Sequence, residues 1–117
     1  DLHRDEIENE NVVKVSVKEK LSLNSYSQAL DFYRVNANLK HNLYHHVGIY
    51  AFTNEALLRY VSLQRSKLEI ERNLEQLRAI EDKMNIHVGY IKSSPLSVDT
   101  NEDLINTKKI MENNEKK

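Results

Sequence analysis

Leu43-Tyr44-His45-His46-Val47-Gly48-Ile49-Tyr50-Ala51-Phe52 is the most strand-like stretch of the chain. Alternation puts Val47, Ile49 and Ala51 on one side and His46, Gly48, Tyr50 and Phe52 on the other. Both sides carry residues that pack tightly, which predicts an interior strand covered on two faces. Gly48 leaves a gap between His46 and Tyr50, where a ligand or a second backbone can approach closely.

Two helices are predicted next. Thr53 or Asn54 can cap the first, with Glu55 at its positive end and Leu57, Leu58 and Val61 facing inward. Ser66 can cap the second, with Glu69 completing a capping box. Leu68, Leu74, Leu77 and Ile80 give that second helix an apolar stripe, and Arg72, Glu75, Gln76 and Arg78 lie off it. Upstream, Val13, Val15 and Val17 alternate with Lys14 and Ser16 as a half-buried strand. Residues 18–27 read as a polar turning segment, and 29–34 as a second strand with Leu30 and Phe32 facing the same way. Downstream, 85–91 form another short strand that Ser93-Ser94-Pro95 breaks. Thr100 and Asp103 then open a last helix carrying Leu104, Ile105 and Ile110. Strands alternating with helices predict an α/β architecture. Residues 1–117 read as a single region, with 1–10 and 113–117 expected to be poorly ordered.

The 117 residues carry 17 basic and 18 acidic side chains, a net charge of −1, with no cysteine. A near-neutral balance argues against nucleic-acid binding through a basic face. Without cysteine there is no disulfide scaffold, thiolate zinc site or cysteine nucleophile. No apolar run approaches the ~18–20 residues that cross a bilayer, so a cytoplasmic protein without membrane contact is expected. The chain opens on Asp1 and a polar, acidic, aperiodic stretch, which reads as a piece of a longer protein. The apolar stock is thin for an independent core, consistent with part of a larger sheet.

Three features carry candidate chemistry. His41, His45 and His46 invite a metal reading, but neither His41 nor His45 has a carboxylate near it in sequence. His46 shares a face with Tyr50; a core histidine bonded to a carbonyl is the plain alternative. Leu74 and Leu77 anchor a helix from which Glu75, Gln76 and Arg78 emerge, as a solvated face or as a site if that flank meets the His46–Tyr50 segment. Asp99 precedes the capped helix at Thr100, which leaves its carboxylate free for a magnesium ion or merely favoured by the helix dipole. The two glycines, Gly48 and Gly89, are isolated, and no Gly-x-Gly-x-x-Gly or Walker-type loop cradles phosphate.

In order, His46-Val47-Gly48-Ile49-Tyr50-Ala51-Phe52, Arg59-Tyr60-Val61, Ser66…Leu68-Glu69, Leu74-Glu75-Gln76-Leu77-Arg78, Ile86-His87-Val88 and Val98-Asp99-Thr100…Glu102-Asp103-Leu104 resemble the 3-deoxy-manno-octulosonate (KDO) cytidylyltransferase family. Asn11-Val12-Val13-Lys14-Val15 matches that family's N-x-V-K-V strand. The resemblance covers most of the chain and corresponds to the family's C-terminal half. It implies a partial nucleotide-diphospho-sugar transferase-like fold, a mixed sheet with flanking helices. The implied activity is conversion of CTP and KDO to CMP-KDO and pyrophosphate for lipopolysaccharide synthesis, with Mg2+ and in a homodimer. It further implies Asp99 as catalytic magnesium ligand, His46 and Tyr50 in the sugar pocket, and Glu75 and Gln76 on the polyol. Arg34 would meet the sugar carboxylate as a bidentate fork. The chain departs from the family where Tyr33-Arg34-Val35-Asn36-Ala37 lacks the proline of Ser-Arg-x-x-Ile-Pro, where Lys67 replaces a proline, and where Arg72 stands at a usually acidic position. A sister synthetase for a sialic-acid-like or amino-KDO sugar, or a non-catalytic interaction module derived from the fold, are the alternatives.

Overall fold

A computed structural model describes residues 4–35, 42–92, 98 and 100–115. In chain order the elements are α1 (Arg4–Glu8), β1 (Lys14–Val17), β2 (Tyr26–Tyr33), β3 (Leu43–His45), α2 (Asn54–Ser62), α3 (Lys67–Arg72), α4 (Leu77–Glu81), β4 (His87–Gly89) and α5 (Asn101–Glu115). The strands form one sheet in the order β3-β1-β2-β4. Every pairing among the described residues is antiparallel. The α/β class with flanking helices is therefore as expected, without a parallel pair among these strands.

The valine alternation of β1 does what period two requires. Val15 and Val17 enter a core with Phe32, Tyr44, Leu74 and Leu77, each such side chain contributing about 1.5–3 kcal/mol by leaving water. Lys14 and Ser16 point to the other face and are buried as well. β2 departs from the reading of Leu30 and Phe32 as neighbours on one face. Ser16 pairs with Asp31 but Val17 pairs with Ala29, a bulge that inserts one extra residue in β2 and reverses the alternation. Ala29 and Phe32 go inward, and Leu30 stays 53% exposed. The segment read as polar and turning supplies Leu21, buried and tied by its N–H to the Tyr44 hydroxyl at 2.9 Å.

The predicted interior strand is the main correction. Only Leu43–His45 is strand, and it lies at the edge of the sheet. The His46 N–H still donates to the Val13 carbonyl at 2.9 Å; beyond it, Gly48 to Thr53 are exposed. The alternation was real, but among the described residues β1 is the one strand that pairs with this segment, and that pairing ends at His46. At the N-terminus α1 is one turn of helix, and at the other end α5 runs to Glu115. Its Thr100–Asp103 capping box is reciprocal, at 3.1 and 3.2 Å.

Candidate functional site

His46 and Tyr50 meet, by a route that strand alternation does not offer. Four residues apart on an extended strand lie about 13 Å apart. Here the Ile49 N–H donates to the Val47 carbonyl at 2.8 Å, a three-residue turn centred on Gly48. The fold-back brings the Tyr50 hydroxyl to 2.5 Å from His46 Nε2. A Cβ at Gly48 would meet nothing within 4 Å, so the glycine leaves open space at the turn. Phe32 packs edge-on against the imidazole at 5.3 Å. Burial, with a contribution from His45, lowers the His46 pKa from 6.5 to about 4, so the ring is neutral near pH 7. Although Tyr50 as a whole is 40% exposed, desolvation of its hydroxyl, then the Glu75 carboxylate and the Tyr60 phenol, push that hydroxyl above its usual value. A protonated phenol facing a neutral imidazole favours Tyr50 as the donor.

Glu75 and Gln76 do not ride on a continuous helix. Ser66 and Glu69 make the expected reciprocal box at 3.2 and 3.0 Å, and Glu69 also receives Arg78 through two bonds at 2.6 and 3.0 Å. The helix then stops at Asn73, which is left-handed at φ 54° and ψ 48°. Leu74 N–H reaches back to the Glu69 carbonyl at 3.2 Å, the longer of the two closing bonds of a Schellman-type end. Glu75 and Gln76 occupy the turn before α4 restarts at Leu77. The Tyr60 hydroxyl donates to the Glu75 carbonyl at 3.0 Å, and Arg78 stacks on the Tyr60 ring at 4.8 Å. Gln76 is only 8% exposed, and its Nε2 has no hydrogen-bond partner.

Arg34, expected as a fork for a carboxylate, spends that fork on the main chain. Nε donates to the Arg72 carbonyl at 3.1 Å, Nη2 to the Asn73 carbonyl at 3.1 Å and Nη1 to the Glu10 carbonyl at 3.2 Å. The planar guanidinium suits three main-chain carbonyls within reach of its Nε, Nη1 and Nη2. Lys14, which the pattern places opposite the valines, buries its ammonium against the carbonyls of Asn9, at 2.6 Å, and Arg34. Burial, and the Arg34 charge after it, lower its pKa. Sequence reasoning gave neither Lys14 nor Tyr60 a role; a lone lysine amid four valines was the available signal. His45, read as lacking a carboxylate, lies 3.8 Å from Glu6 across the fold. Asp99 and His41 lie outside the described residues.

A groove of about 1080 Å³ gathers Arg34, His46, Glu75, Gln76 and Thr100. A second hollow of about 440 Å³, walled by Tyr50, Phe52 and Tyr60, is lined by Glu75 and Gln76 as well, so both residues border the two spaces. Neutral imidazole, carboxylate and unpaired amide together offer donors and acceptors without net positive charge, a set suited to hydroxyl groups.

A family model described as cytidylyltransferase matches residues 2–86. The 3-deoxy-manno-octulosonate cytidylyltransferase of Bartonella quintana is 45% identical over 111 residues, 94% of this chain and 45% of the relative. That of Bartonella tribocorum is 52% identical over 69 residues, 59% and 28% of the two chains, and that of Brucella ovis 47% over 97 residues, 82% and 38%. The chain thus spans less than half the length of these relatives. A solved structure of CMP:2-keto-3-deoxy-manno-octonic acid synthetase complexed with CTP superimposes with a TM-score of 0.78 at 29% identity, over 97% of this chain and 46% of the other.

Proposed function

The chain belongs to the cytidylyltransferase family, and from that premise we propose that it supplies the sugar-binding portion of an enzyme converting CTP and KDO to CMP-KDO and pyrophosphate. In that reaction the sugar's anomeric oxygen bonds to the α-phosphorus, the bond to the departing pyrophosphate breaks, and the hydroxyl proton is released. Such chemistry leans on alignment of the two substrates. The parts proposed for this chain are recognition and orientation of the polyol. Glu75 accepts from sugar hydroxyls, Gln76 Nε2 donates to one, and His46, neutral near pH 7 and bonded to the Tyr50 hydroxyl, lines the same groove.

One observation carries the reading: the buried Gln76 amide without a partner, at the rim of a groove it shares with His46 and Glu75. An unpaired buried donor costs about 1–3 kcal/mol, a cost that a substrate hydroxyl would relieve. Magnesium belongs to the same reading, with Asp99 as its ligand. Among the described residues no three His, Cys, Asp or Glu side chains converge as a metal site. The reading also carries a homodimeric parent acting in the cytoplasm on behalf of lipopolysaccharide synthesis.

The test is a titration of the isotope-labelled chain with KDO, followed at the Gln76 side-chain amide. A saturable shift with KDO, absent with CTP alone, is expected. A Gln76 signal that stays in place throughout would remove the sugar-binding role. Competition by an amino-KDO or a sialic-type sugar in the same titration identifies which sugar acid the pocket prefers.

A further inference from the structure

Residues 67–81 carry the apolar spacing of one helix, yet the chain breaks at Asn73. In an unbroken helix the Arg72 and Asn73 carbonyls would accept from the N–H groups of Gln76 and Leu77. Those are the two carbonyls that the Arg34 guanidinium takes, through Nε and Nη2 at 3.1 Å each. Leu77 N–H turns to the Leu74 carbonyl at 3.1 Å instead. Arg34 is itself held from behind, because the Lys14 ammonium grips its carbonyl and Nη1 reaches Glu10. Its positive charge also lies at the negative end of α3, where a cation is favoured. A left-handed asparagine is a conformation that L residues adopt at a cost, and the arginine supplies an interaction that only the broken form makes.

We propose that Arg34 is a positioning residue: it intercepts the helix at Asn73 and so holds Glu75 and Gln76 in a turn that faces the groove. The interception stands on the hydrogen bonds alone. Its consequence for sugar recognition rests on the function proposed above.

The experiment uses the 117-residue chain with Arg34→Met, which keeps length and loses every donor, and Arg34→Lys, which keeps the charge but not the planar fork. For Arg34→Met, the Asn73 Cα shift is expected to move from left-handed to helical, and Leu77 amide exchange to slow at least tenfold as it gains the Asn73 carbonyl. Arg34→Lys should fall between. If Asn73 and Leu77 in Arg34→Met match the wild type, asparagine alone sets the break and the proposal is overturned. Should Arg34→Met not fold, the wild-type chain still decides. The Arg34 Nε–H must exchange at least tenfold more slowly than that of Arg65, whose side chain is 62% exposed; equal rates reject the interception. KDO affinity is read in parallel, with a tenfold loss expected for Arg34→Met. A turn that rearranges while KDO affinity is unchanged upholds the interception and defeats the sugar reading. A wild-type chain that never binds KDO defeats that reading too, and the Asn73 and Leu77 signals then judge the interception alone.

Discussion

Gln76 is kept polar in a place where leucine would suit the fold better. Its Nε2 is buried without a partner, so Gln76→Leu should raise stability by about 1 kcal/mol while weakening KDO binding. Thermal melting and the KDO titration check the two halves, and a loss of both would mean the amide is structural. His46 gives a second prediction at this scale. Above its ordinary value of 6.5 the ring is neutral in folded and unfolded chains alike; between 6.5 and about 4 the unfolded chain takes a proton that the folded site refuses. Stability should therefore fall as pH drops through that window. Denaturant titrations at several pH values should show the slope in the wild type and a flatter one in His46→Gln. The residue types of the candidate site, histidine, tyrosine, glutamate and glutamine, were singled out from their spacing and from a family pattern. Their geometry was not legible, because the contact between His46 and Tyr50 is made by a turn at Gly48, and periodicity carries no sign of it.

Among the elements, α3 was the most legible and its far end the least. Serine three residues before glutamate specifies the start, but the same glutamate is also the buried anchor of Arg78, 2% exposed, which a local pattern cannot announce. The two roles should separate in energy. Ser66→Ala removes one cap bond and should cost about 1 kcal/mol, whereas Glu69→Ala removes its bond to the Ser66 N–H and both bonds from Arg78 and should cost clearly more. Equilibrium unfolding measures both; similar losses would deny Glu69 its second role. Hydrogen bonds from Arg78 hold the Glu69 carboxyl below the usual glutamate range despite its burial. The stability it contributes is complete above that range and disappears as pH falls through its depressed value. The end of α3 was illegible for a different reason: the N–H group that donates to the Arg72 carbonyl belongs to a residue 38 positions away. The interior strand failed likewise, since a backbone pairing partner is not written into the strand that needs one.

Over the whole molecule, the α/β class and half of the core, Val15, Val17, Leu74 and Leu77, followed from valine alternation and helix spacing, while the direction of every pairing and the bulge in β2 did not. Leu57, Leu58 and Val61 of α2, expected to face inward, are exposed, and neither α2 nor α5 has a buried residue among those described. At this scale the prediction concerns turnover. No phosphate-cradling glycine loop exists within the 117 residues, so the chain alone, given CTP, KDO and magnesium, should release no pyrophosphate above background in a coupled assay; clear turnover would contradict the division of labour proposed here. Lys14 has a chemical consequence of its own. With 0% exposure and its amine clasped by two carbonyls, it is sealed off from acylating reagents that consume outward lysines such as Lys67, 84% exposed. Acetylation at Lys14 should lag far behind Lys67 and start only when the chain opens there, which makes its labelling rate a stopwatch for that opening.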